Sequence, residues 1–246
     1  MMAYLCPPET AAWKADLRTC DELTNRRWIL RVGKMLYPTV DPDTVKRKLR
    51  FDYLKAKNDP ASRPLDGFTT LLQHFLKPHL VIHDLAQESA TYIQKQFRLR
   101  WTLIGFRCSD GMYRYDVMSG MRDEAWVRHK SKTWTRADFM PTSERYDYGD
   151  ISKLSRVYLE EQNPLLKEDE QAVNRPALLR SKRDSDETCL EADFIDTLIL
   201  GSKDEMLGWI EYSGTIAGEF PDPWTVRNIE VISAVIGAAI ASRNQG

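Results

Sequence analysis

A chain of 246 residues, 42% apolar and 29% charged, is long enough for one large domain or two small ones and can bury a packed core, which excludes a peptide hormone or a disulfide-stapled miniprotein. Lys plus Arg total 35 against 36 Asp plus Glu, and a net charge of -1 supplies no overall basic field for wrapping nucleic acid. Four cysteines, Cys6, Cys20, Cys108 and Cys189, stand far apart without a CxxC pair, so reduced thiols in a cytoplasmic protein are expected rather than a zinc ribbon or a secreted disulfide framework.

At the N-terminus, Pro7, Pro8, Glu9 and Asp16 fall where a signal peptide needs an unbroken apolar core. Residues 21–36, with Leu23, Leu30 and Met35 at helical spacing and Pro38 beyond, predict a helix. Asp43 caps a second through Val45, Leu49 and Tyr53; a third runs from about Asp66 to Pro78, and a fourth from about His79 to Phe97. The first 85 residues carry 14 Lys/Arg and 10 Asp/Glu (+4), against 21 and 26 (-5) in the rest. A mildly basic, all-helical region 1–90 thus precedes an acidic region 91–246.

From Arg100 the pattern changes to β. Residues 100–108, the turn Ser109-Asp110-Gly111 and the alternating stretch 112–118 predict a hairpin. Residues 119–190 read as a long polar insert, with short helices expected at 151–159 and 167–173, and loops of that length are often functional. A second hairpin pairs 192–200 with 206–212, Phe194, Leu198 and Leu200 pointing one way and Ile195, Thr197 and Ile199 the other. The last element is a helix capped by Asp222, opened by Pro223 and striped by Val226, Ile229, Ile232, Ile236 and Ile240. Its apolar stretch 231–241 is about half of the roughly 20 residues that cross a bilayer, so no membrane contact is expected.

The order helix, hairpin, polar insert, hairpin and terminal helix resembles a GAF domain, clearest in Leu207-Gly-Trp-Ile-Glu-Tyr-Ser-Gly-Thr215, Gly218-Glu-Phe-Pro-Asp-Pro-Trp224 and the helix from Asn228 to Ile240. The resemblance implies an α+β fold: a GAF-like six-stranded antiparallel sheet flanked by helices, with a ligand pocket on the face opposite the helices and an all-helical N-terminal extension. It further implies a sensory module that binds a small molecule and pairs as a homodimer through its terminal helices; with no GxSxG, P-loop, dinucleotide fingerprint or HExxH in the sequence, no enzymatic role is expected. No kinase, cyclase or response-regulator segment fits beside it, so the signalling output is expected in another chain. An alternative uses the basic run Lys46-Arg47-Lys48 for DNA or protein contact; another is a haem- or bilin-binding redox or light sensor. Related domains hold such groups through a cysteine, making Cys189 and Cys108 the covalent candidates, although neither precedes a histidine.

Candidate ligand-binding residues are the aromatics Trp126, Trp134, Tyr146 and Trp209, which with Arg175 or Arg145 at the edge suit a flat or anionic molecule. Asp196 and Glu211, on adjoining strands, are placed to face each other and would then raise one another's pKa, with solvation at an open sheet edge as the plainer expectation. His79 and His83 share a helical spacing near His74 but lack the Glu of HExxH, and a surface role without metal is expected. His129, in the basic stretch 128–132, reads as part of a solvated loop.

Overall fold

The computed structural model describes residues 41–57, 63–76, 79–140, 146–167 and 169–243, so the helix expected over 21–36 and the residue Arg145 lie outside it. A division of the chain falls between Lys57 and Asn58. Before it stands helix α1 (Pro42–Lys57), whose residues 43–56 are exposed. Its basic side chains pair with acids one turn away, Lys46 Nζ with Asp43 at 3.0 Å and Lys48 Nζ with Asp52 at 2.5 Å.

Beyond the division, α2 (Arg63–Phe75) and α3 (Ile82–Gln96) precede a sheet of six antiparallel strands in the order β2-β1-β6-β5-β4-β3. These are β1 (Thr102–Arg107), β2 (Tyr113–Ser119), β3 (Gly149–Asp150), β4 (Ser155–Tyr158), β5 (Phe194–Leu200) and β6 (Met206–Tyr212). Helix α4 (Asp123–Ser131) lies between β2 and β3, and α5 (Pro223–Arg243) closes the chain. The α+β class and both hairpins are as the sequence implies. The insert is more ordered than expected, carrying α4, β3 and β4. Residues 155–158, expected to be helical, form β4, and the expected helix at 167–173 is a single turn at Glu170–Ala172. Alternation over so short a stretch does not separate strand from helix, and pairing with β5 decides it.

The sheet divides two cores. On one face Ile104, Val117, Ile195, Ile199 and Ile210 pack against Leu85, Ala86 and Ile93 of α3 and Ile229, Ile232 and Ile236 of α5. Helix α5 is positioned by specific contacts: Asp222 Oδ1 accepts the Thr225 N–H at 2.6 Å and Ser233 Oγ donates to the Leu198 carbonyl at 3.0 Å. A Cβ at Gly237 would sit 2.3 Å from the Leu200 carbonyl oxygen, so helix and strand approach this closely only because position 237 is glycine. By length and composition alone α5 could cross a membrane; here its apolar stripe is spent on the sheet.

The other face carries Trp101, Leu103, Tyr113, Tyr115, Met121, Ala125, Trp134, Phe139, Met206 and Trp209. A bulge in β2 brings the tyrosines there. Ile104 pairs with Val117 but Gly105 pairs with Tyr115, leaving Asp116 as the extra residue. Val117 therefore packs on the helical side while Tyr115 and Tyr113 pack on the opposite one.

Candidate functional site

On the face away from α3 and α5 lies a cavity of about 120 Å³ whose lining includes Trp101, Tyr115, Trp134, Phe139, Tyr158, Phe194 and Trp209. Four of the rings form one interlocked set: Tyr115 meets Trp134 at 4.7 Å and Trp209 at 4.9 Å between centroids, and Phe139 meets Trp209 at 5.0 Å. Tyr158 stacks on Phe194 at 4.5 Å with planes 10° apart. Edge and tilted geometries set the positive rim of one ring toward the negative face of the next, which favours a rigid wall. Gly105 makes room for it, since a Cβ there would lie 2.2 Å from Cη2 of Trp209.

Asp196 and Glu211 line this cavity, directly opposite each other in the β5–β6 register. They are 5% and 6% exposed, so the solvated sheet edge expected for them is corrected: β5 and β6 are interior strands, with β4 and β1 closing their outer sides. Tyr115 donates its hydroxyl to Glu211 Oε2. Asp196 Oδ1 is buried and has no hydrogen-bond partner among the described residues. Burial first, and then the Glu211 charge, push the Asp196 carboxyl well above the usual range, against the pull of Arg156 on β4. Burial likewise raises Glu211, opposed chiefly by the Tyr115 hydrogen bond and then by Lys132 and the Trp209 indole, which closes no hydrogen bond of ordinary geometry. Burial and their opposition across the β5–β6 pair thus favour the protonated form of both carboxyls.

The cations around the pair are committed elsewhere. Arg156 donates to the Phe139 carbonyl at 2.5 Å, lies 3.5 Å from Asp150 and stacks over Tyr148 at 4.6 Å. Lys132 is held by Asp169 at 3.1 Å. His129 is corrected from a solvated loop to a cavity-lining ring on α4. Its Nε2 meets the Ala172 carbonyl at 2.9 Å and so carries the hydrogen, leaving buried Nδ1 without a partner; burial lowers its pKa to about 4 and keeps it neutral.

Of the residues singled out from sequence, Trp134, Tyr146, Asp196, Trp209 and Glu211 meet at the cavity. Trp126 packs against Tyr115 at 6.4 Å with Lys130 over its ring, outside the lining. Arg175 is spent on Glu191, donating from N at 2.8 Å and Nε at 2.9 Å to a carboxylate that Arg100 also reaches at 3.4 Å. Neither candidate thiol reaches the cavity. Cys189 is buried beside Arg100, with Sγ 3.3 Å from Nη2, and burial pushes its pKa up to about 12; Cys108 lies next to Arg107 on the rim of a different recess. A cavity of this size with no cysteine in its lining does not fit a covalently held tetrapyrrole. His83 Nδ1 contacts Asp116 at 3.0 Å and His74 contacts Glu88, and among the described residues no His/Cys/Asp/Glu group is arranged to hold a metal.

Tyr115, Phe139, Tyr158 and Phe194 complete the site and were not singled out from sequence. Phe194 carried a signal, since alternation puts it on the Asp196 face. Tyr115 carried none, because the bulge that sets its face leaves no mark in the residue pattern.

The described residues thus form an antiparallel sheet with helices on one face and an aromatic and acidic cavity on the other. Solved structures similar to this chain include the GAF domain from an Acinetobacter phosphoenolpyruvate-protein phosphotransferase (10% identity, 74% of this chain and 94% of that one, TM-score 0.45). Others are a GAF domain/HD domain protein from Geobacter sulfurreducens (9% identity, 67% and 95%, TM-score 0.47) and the GAF domain of a Coxiella burnetii phosphoenolpyruvate-protein phosphotransferase (11%, 74% and 95%, TM-score 0.47). No family model matches the sequence, and no curated protein matches it.

Proposed function

We propose that this chain is a cytoplasmic sensory or regulatory module that binds a small molecule in the aromatic cavity without turning it over, pairs with a second copy, and reports occupancy to another protein. The observation that carries the reading is the buried, unpartnered Asp196 oxygen in the wall of an aromatic cavity. A buried polar atom without a partner costs free energy that a ligand donor can recover. Transmission has a physical basis in β5: Asp196 faces the cavity, while Ile199 and the Leu198 carbonyl of the same strand contact α5. A ligand that shifts β5 would bias the packing of α5, a two-state converter if α5 forms the dimer contact.

The test is a thermal-stability screen of the full chain against amines, amino acids, organic acids, nucleotides and sugars, repeated with Asp196→Asn. Support requires a ligand whose stabilisation is concentration-dependent in the wild type and reduced in the variant. If no compound stabilises the protein, or stabilisation is untouched by the substitution, the reading fails.

A further inference from the structure

Resting on the reading of this cavity as a ligand site, we infer that its ligand is a small organic ammonium ion, held against the aromatic wall that includes Tyr115, Trp134, Phe139 and Trp209 and neutralised by Asp196 and Glu211. Ring faces attract cations through their quadrupole, and the attraction grows where water is excluded. Four mutually packed aromatics beside two carboxyls in a space of about 120 Å³ supply both halves of such a site. That space is of the order that holds a benzene-sized guest, which matches a trimethylammonium group.

The charge balance favours the same class. Facing the cavity that holds the pair are Tyr115 from β2, Lys132 and His129 at the end of α4, Asp138, which accepts from Thr135 N and Oγ1, Arg156 and Tyr158 from β4, Tyr146, and Glu191 ahead of β5. Lys132 is paired with Asp169, Arg156 with Asp150 and the Phe139 carbonyl, and Glu191 with Arg175 and Arg100. His129 is uncharged at neutral pH. An ionised Asp196–Glu211 pair therefore lacks an available counter-charge among the described residues, and an entering monocation supplies one. An anion would meet no free cation there among the described residues. Burial favours the protonated carboxyls; when the ammonium ion enters, a carboxyl O–H bond breaks, the electron pair stays on the carboxylate and the proton passes to the solvent.

The experiment uses the full chain with choline and tetramethylammonium as cationic probes. Comparison probes are 3,3-dimethyl-1-butanol, the neutral isostere of choline, and acetate. Titration calorimetry in two buffers of different ionisation enthalpy counts the protons released. Expected are choline binding about tenfold or more tighter than its isostere, release of close to one proton, and affinity rising with pH up to about tenfold per unit while the pair titrates. Asp196→Asn and Glu211→Gln, which keep the shape, should each weaken choline and remove the pH dependence.

Isostere or acetate binding as tight as choline would overturn the cation assignment and leave the small-molecule site standing. So would an Asp196-dependent ligand from the wider screen when neither cationic probe binds. Binding to phosphatidylcholine vesicles with no response to free choline would transfer the site to a lipid headgroup and overturn a freely diffusing ligand. Silence of every compound in both experiments would sink the site itself. Circular dichroism of the two variants separates lost binding from lost folding.

Discussion

Asp196 and His129 make opposite demands on pH because burial disfavours the charged form of each. The carboxyl pair keeps a proton in the folded protein at pH values where the unfolded chain has released it. Its contribution is fully present below the unfolded carboxyl pKa near 4 and is lost as pH rises toward the raised folded values. His129 binds its proton only at about pH 4 when folded, against about 6.5 unfolded, so its contribution is present above that range and lost as pH falls through it. The two partly cancel between about pH 4 and 6.5, and above that the carboxyl pair acts alone. Asp196→Asn is therefore expected to raise the melting temperature at pH 8, with the gain shrinking toward pH 4, as read by thermal denaturation across that range. His129→Gln should flatten the acidic limb and leave the slope above pH 7 unchanged; an unaltered acidic limb would show that the ring is not held neutral by its surroundings.

Contacts between elements depend on single residues that carry little apolar area. At Gly237 the helix backbone passes so close to Leu200 that a methyl group must displace one of them, and Gly237→Ala should cost about 1–3 kcal/mol in denaturant titrations. Gly105→Ala acts on the opposite face, driving Trp209 into the cavity; it should abolish binding of any ligand found for the wild type and alter the tryptophan emission. The β2 bulge is the element-scale feature that sequence pattern cannot express. Residues 112–118 alternate well enough to announce a strand, but one extra residue at Asp116 reverses which side chains face which core.

Across the whole sheet domain, the insert is fastened by buried carboxylates that accept backbone N–H groups. Asp193, fully buried, accepts from Glu160 at 2.8 Å and Leu190 at 2.6 Å and pairs with Arg183 at 3.0 Å. Glu160 accepts from Arg180 at 2.6 Å and Ala192 at 3.1 Å, and Glu191 holds Arg175. Removing a partner from a buried charge is costly, so Arg183→Met should destabilise by about 3 kcal/mol and speed proteolysis within residues 161–188 under native conditions. A variant cleaved no faster than wild type would show the insert to be held by other contacts.

Periodicity alone was enough for both hairpins, the terminal helix with its Asp222 cap, the two faces of β5, and the opposition of Asp196 to Glu211. Each follows from spacing within one element or from one turn, and such information is local. Burial of that carboxyl pair was not legible, because it depends on β4 and β1 arriving on either side of the hairpin from 40 and 108 residues away, as the strand pairs Arg156 with Asp196 and Leu103 with Glu211 record. The same holds for Arg175, which sequence allows as a ligand contact until Glu191 claims it. Local pattern determined which faces exist; only the long-range strand order decided which face is dry, and a carboxyl pair becomes a candidate binding site only where water is kept out.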